Sequence, residues 1–257
     1  MKDLNLINEK SLPKDEDFLW RYVDIHKFLN LINEKRIRFT RMDQFEDALE
    51  GVPYESLRVF IDDEKPLLKL SNIILDYDSS KNHLGLRTRL DDIIDIQTTQ
   101  FVSCWFNEKR ESMAMWNLYS NSDGVAIKIP FGKLKNGLIP EIDETEIDEY
   151  FCGKVNYQNF TNMNPEATDR LSVQKKVSLR KDVSFSHEKE IRFVVKLLKS
   201  NKTKLGISSK SLDLINLDLN VICHPKMAEW KKSNIKQALK KAKLNSSFFE
   251  SEIKLRF

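Results

Sequence analysis

The sequence predicts a single α+β domain over residues 1–257, with a mixed, largely antiparallel central sheet, a helical insertion at about 54–97 and a C-terminal helix. Three observations carry this. Short apolar runs of strand type are scattered along the chain without the regular strand–helix alternation of a parallel sheet. Amphipathic helical spacings gather in one internal stretch, and the chain closes on a lysine-rich helical pattern. No Gly-rich phosphate loop follows any strand, which argues against a Rossmann or P-loop enzyme.

After a polar lead-in, Phe18-Leu19-Trp20-Arg21-Tyr22-Val23 reads as a strand holding one cation among apolar residues. Asp24 is placed to cap a helix with Ile25, Phe28, Leu29 and Ile32 on one face, and a second strand follows at Arg36–Thr40. The insertion carries Leu57, Phe60 and Ile61 on one helical face and Leu86, Leu90, Ile93 and Ile94 on another. Strands resume at Gln100–Phe106, then a short helix at Ser112–Tyr119, a turn at Asn121–Gly124 and a strand at Val125–Ile129 that Pro130 limits. Gly153–Tyr157 is a further short strand, and a polar helix over about Pro165–Leu179 leads to a strand opened by Glu188 and Glu190. Val221-Ile222-Cys223 precedes the lysine-rich helix, with a last strand at Glu252–Phe257.

With 257 residues, 40% of them hydrophobic, the chain is long enough for a sizeable core. Lys+Arg 42 against Asp+Glu 39 gives only +3, which does not by itself mark a nucleic-acid binder, but bases concentrate between Lys226 and Lys243. Cys104, Cys152 and Cys223 have no disulfide or metal-ligand spacing and no signal peptide is recognisable, so a reducing cytoplasm is the expected setting. No apolar run reaches the ~20 residues of a membrane span, so a soluble protein without a membrane partner is expected. No metal site is implied.

The segment Phe185–Val195 is the most informative. Glu188 and Glu190 flank Lys189 with period-two spacing at the mouth of an apolar strand, which places both carboxylates on one strand face. Such a pair suits holding a sugar hydroxyl or stabilising a developing cation, and equally describes a solvated strand end. Arg21, a cation within an apolar strand, calls either for a carboxylate partner such as Glu188 or Glu190 or for an anionic ligand. Ser103 is a core hydroxyl or a cleft-lining one. Trp116 and Tyr119 share a helical face with Met115, as core or as a stacking platform for a nicotinamide or base. His187 and the Cys223-His224 pair are weaker acid/base and nucleophile candidates, and Arg41–Asp47 suits either a loop at a cleft edge or a charged turn.

Four blocks in order resemble a bacterial family, the domain-of-unknown-function family numbered 2971. They are Leu19–Tyr22, Arg38–Asp47, Ser103-Cys104-Trp105 with Met115–Tyr119 and Gly124–Ala126, and His187–Arg192. The resemblance spans about Phe18 to Leu244; the family's usual Asn-Asp-Pro stands here as Glu46-Asp47-Ala48. A more remote resemblance is to ADP-ribosyltransferases of the Arg-Ser-Glu type. That resemblance implies NAD as substrate, with Arg21 on its phosphates, Ser103 shaping the nicotinamide site, Glu190 stabilising an oxocarbenium-like transition state and Glu188 orienting the acceptor. The transferases' Ser-Thr-Ser is here Ser103-Cys104-Trp105.

These resemblances imply a cytoplasmic effector of phage-defence or toxin type, an ADP-ribosyltransferase or NAD glycohydrolase acting on a protein or nucleic-acid acceptor. The rival reading is a noncatalytic module that recognises nucleic acid or a phage component through Lys226–Lys243. A nuclease is the third.

Overall fold

The computed structural model describes residues 2–47, 49–52, 84–160, 176–201, 203–244 and 247–256. Its elements are β1 (Asn5–Ile7), β2 (Phe18–Val23), α1 (Ile25–Glu34), β3 (Arg38–Arg41), α2 (Leu84–Thr99), β4 (Gln100–Phe106), α3 (Met113–Tyr119), β5 (Val125–Pro130), α4 (Phe131–Gly137) and β6 (Ile147–Lys154). There follow β7 (Asn156–Gln158), β8 (Arg180–Asp182), β9 (Glu190–Leu197), β10 (Gly206–Ser208), β11 (Asn220–Cys223), α5 (Glu229–Lys241) and β12 (Phe248–Phe249). Ten strands form one sheet ordered β1-β6-β9-β4-β2-β5-β11-β12, with β3 joining β4 to β10. Only β1 beside β6 and β12 beside β11 run parallel within it, so the predicted mixed, largely antiparallel sheet is the one observed.

Strand alternation divides the side chains cleanly between two faces. One face carries Leu19, Val23, Phe101, Trp105, Ile127, Ile191, Phe193 and Val195, and α1, α4 and α5 cover it with Phe28, Leu31, Leu134, Ile235 and Leu239. Asp24 starts α1 as expected, its Oδ1 accepting the Lys27 amide at 2.9 Å. The opposite face is covered less evenly. There Trp20, Tyr22, Phe106 and Ile222 pack with Met115 and Trp116 of α3, while Val102, Phe151 and Val194 form a separate cluster with Met42 and Leu179.

The sheet forks at β4. One edge of this strand pairs with β9 along its whole length. The other edge pairs with β3 at Phe101 and Val102, then with β2 only at Phe106, so Ser103–Trp105 lies between two diverging strands. Arg21 occupies the fork.

Several element boundaries depart from the sequence reading. The second strand starts at Arg38, not Arg36, and the strand carrying the acidic pair starts at Glu190: Glu188 ends a 3-10 turn and Lys189 adopts a left-handed φ of 42°. The final strand is Phe248–Phe249, because the residues after it leave the sheet to bind Glu111, whose Oε1 accepts from Ser251 Oγ at 2.8 Å and from the amides of Glu252 and Ile253. The Gly153–Tyr157 candidate divides into the end of β6 and the short β7, which pairs with β8 in a separate two-stranded sheet. Most of the proposed insertion, 54–83, and most of the proposed helix at 165–179 lie outside the described residues; α2 and a 3-10 turn at Val177–Leu179 are the parts that are described.

Candidate functional site

The acidic pair does converge, although not by sharing a strand. The left-handed Lys189 turns the chain so that Glu188 and Glu190 enter one buried charge cluster with Glu50, Lys181 and Arg192. Lys181 on β8 bridges Glu188 at 2.6 Å and Glu50 at 2.8 Å. Arg192 on β9 uses every nitrogen: Nε donates to Glu190 Oε2 at 2.5 Å, Nη1 to the Ser178 carbonyl at 2.9 Å, and Nη2 reaches Glu50 at 3.0 Å. All five side chains are almost fully buried.

Glycine backbone makes room for this cluster at two points. Gly153 sits opposite Arg192, where a Cβ would lie 2.3 Å from Leu179 Cδ1, so its absence lets the Val177–Leu179 turn bring the Ser178 carbonyl to the guanidinium. Gly51 has φ 77°, and a Cβ there would meet Met42 Sδ at 2.3 Å. That turn fixes Glu50 beside the cluster. Ahead of it, buried Arg41 grips Asp43 in bidentate fashion at 2.6 and 2.8 Å, and Asp47 Oδ1 accepts the Leu49 amide, so Arg41–Asp47 is a structured turn.

Burial pushes the Glu190 carboxyl above the usual carboxylate range despite the attraction of Arg192 and Lys181. Glu50 is also penalised by burial, but Arg192 and Lys181 together outweigh that and hold it low. Lys181 is raised against its own desolvation by Glu50 and Glu190. The two oxygens of Glu188 are both taken, Oε1 by the Tyr119 hydroxyl and Oε2 by Lys181. Glu190 differs. Its Oε2 accepts from Arg192, and its Oε1 receives no hydrogen bond among the described residues.

Cys104 stands between buried Val102 and Phe106 on the face of β4 that also carries Glu190 across the β4–β9 pair, and it is partly exposed. Burial raises the Cys104 thiol strongly, so it is a neutral group and not a thiolate nucleophile.

The other predicted residues fall differently. Arg21 and Ser103 meet at 3.1 Å, but their side chains root on the sheet face opposite Glu190, so the three do not form a single contact group. Ser103 is fully buried; its Oγ accepts from both Arg21 and Trp105 Nε1, which makes it a core hydroxyl and not a cleft-lining one. Arg21 pairs with neither Glu188 nor Glu190. Its guanidinium donates to the Arg38 carbonyl across the fork at 3.3 Å, has no carboxylate partner among the described residues, and is partly exposed. Burial without a counter-charge among the described residues lowers its pKa.

Trp116 cannot stack on a ligand. Its ring is fully buried against Tyr22 and His224, with Nε1 donating to Glu111 at 2.9 Å. Tyr119 is 43% exposed and is tied inward through Glu188. His187 is exposed and away from these contacts. Cys223 is buried with its thiol pushed up to about 12, so with His224 it makes no nucleophilic pair.

His224 instead gives a pH prediction. Burial lowers its pKa, and its Nδ1 must stay unprotonated to accept the Lys226 amide at 3.0 Å. The unfolded chain therefore takes up this proton first, and stability falls as pH drops below the unfolded value of about 6.5 until the folded histidine also protonates. Unfolding midpoints measured across this range should decline for the native chain and flatten for His224→Asn, which keeps an acceptor without the titration.

Sequence reasoning missed Glu50, Lys181 and Arg192 as site residues. The signal for Arg192 was present: a cation inside Ile191–Val195, the same anomaly that singled out Arg21. Among the described residues no group of three or more His, Cys, Asp or Glu is placed to hold a metal ion, and no helix is long and apolar enough to cross a membrane. No curated protein and no solved structure matches the chain. Residues 115–193, which run from α3 through β9 and so contain Tyr119, Lys181, Glu188, Glu190 and Arg192, match the family DUF2971, described as a protein of unknown function.

Proposed function

We propose that the sheet face at Cys104 and Glu190, over β4 and β9, binds a dinucleotide of the NAD type and that Glu190 promotes cleavage of its glycosidic bond. The observation that carries this reading is Glu190 Oε1, the one carboxylate oxygen of the acidic pair that Tyr119, Lys181 and Arg192 leave unengaged among the described residues. In the proposed step the bond between ribose C1′ and the pyridinium nitrogen breaks, and its electron pair leaves with nicotinamide. Positive charge then develops at C1′. A partly desolvated carboxylate fixed by Arg192 stabilises that charge more than it would in water and needs no reorganisation. Water or an acceptor nucleophile captures C1′ and releases a proton.

Glu188 orients in this scheme through Tyr119, whose ring is half-exposed. This scheme leaves the phosphates off Arg21, which roots on the opposite sheet face. Three unpaired cysteines support a reducing, cytoplasmic setting. Consumption of a common dinucleotide suits an effector of toxin or phage-defence type.

Arg21→Lys tests whether the ligand stays on the Glu190 face. NAD affinity measured by calorimetry should be unchanged, with a stability loss of about 1–2 kcal/mol from the contacts to Ser103 and the Arg38 carbonyl. A loss of affinity of about tenfold would place the planar guanidinium of Arg21 on the ligand. Absence of NAD binding by the native chain overturns the proposal.

A further inference from the structure

Charge is segregated at the end of the chain. Residues 226–256 hold nine Lys or Arg against three Glu, a formal +6 where the whole protein has +3, so the remainder is net negative. The structure divides the lysines from Lys226 to Lys243 into two sets. Lys231 is tied to Asp123, Lys232 bridges Glu229 and Glu250, and Lys236 reaches Glu250 at 3.8 Å. Lys226, Lys240, Lys241 and Lys243 are exposed and carry no ion pair among the described residues.

The same surface presents Trp230, 65% exposed, whereas Trp20, Trp105 and Trp116 are at most 5% exposed. At helical spacing from Trp230 the outward face of α5 continues with Ser233, Asn234 and Gln237, all exposed, while Ile235 and Leu239 turn to the core. A lone ring among amides and lysines has no apolar companions with which to enter a bilayer. It is suited to stacking on an unpaired base, with amides for base edges and lysines for phosphates.

We propose that this face of α5 binds single-stranded nucleic acid, Trp230 stacking on a base and Lys226, Lys240, Lys241 and Lys243 meeting the backbone. The site is separate from Glu190, which lies on the other face of the sheet, and stands or falls without it. Because the other three tryptophans are buried, quenching of intrinsic fluorescence reports Trp230 directly. Titration of the full chain with an oligothymidylate at low salt should quench that emission. For four phosphate contacts, a fourfold rise in salt should weaken binding about fifty-fold. Read by anisotropy of a labelled oligonucleotide, Trp230→Ala should weaken binding about tenfold, and replacing the four lysines with Gln should flatten the salt dependence. Trp230 is a surface residue, so its variant remains folded. No binding at low salt, native-like binding by the variants, or preference for duplex DNA or anionic phospholipid vesicles would each overturn the proposal.

Discussion

Arg192→Met should lower the stability of the protein by about 3–5 kcal/mol, the cost of leaving buried acids without their cation. Arg192 is fully buried and serves Glu190, Glu50 and the Ser178 carbonyl at once. Methionine fills much of the volume but returns none of these bonds, so Glu50 and Glu190 lose their shared partner and Lys181 alone must balance three carboxylates. Domains of this kind have total stabilities of about 5–15 kcal/mol, so the variant should sit near its unfolding transition at ordinary temperature. The comparison is Arg36→Met, which breaks an exposed pair with Glu141 and should cost about 1 kcal/mol or less. Urea denaturation of both variants checks the contrast; equal losses would mean that the cluster is not organised by Arg192.

Much of the fold was legible because strand periodicity is local. The forms of β2, β4, β5 and β11 follow from their own apolar residues, and Asp24 announces α1 through its side chain. The site was only half legible. Glu188 and Glu190 could be singled out from their spacing, but the left-handed Lys189 that joins them is a backbone state adopted where Lys189 O accepts from Asn107, a contact distant in sequence. Glu50 and Lys181 are ordinary acidic and basic residues in their own segments and acquire meaning only when folding brings them to Arg192. Ser103 and Trp116 stayed open between core and site because residues inside a strand or on an apolar helix face give no local sign of how completely the other side is covered.

Glu190→Gln should separate chemistry from stability. The raised pKa of Glu190 means that its ionised form is disfavoured by folding, so its contribution to stability is greatest below the unfolded carboxylate value and fades as pH rises through the folded one. Glu50 has the opposite sign and stabilises above its unfolded value. A neutral amide at position 190 relieves the burial penalty at neutral pH and can still accept from Arg192 Nε, so the unfolding midpoint should hold or rise. Turnover should fall by about 10²–10³-fold or more, because the amide offers no charge to the developing cation.

The most direct measurement is proton NMR of NAD incubated with the native chain and with Glu190→Gln in parallel. The account predicts that free nicotinamide accumulates with the native protein and that the folded variant binds the dinucleotide but leaves it intact. Equal release by a folded Gln variant, or no change in NAD with either protein, would contradict it.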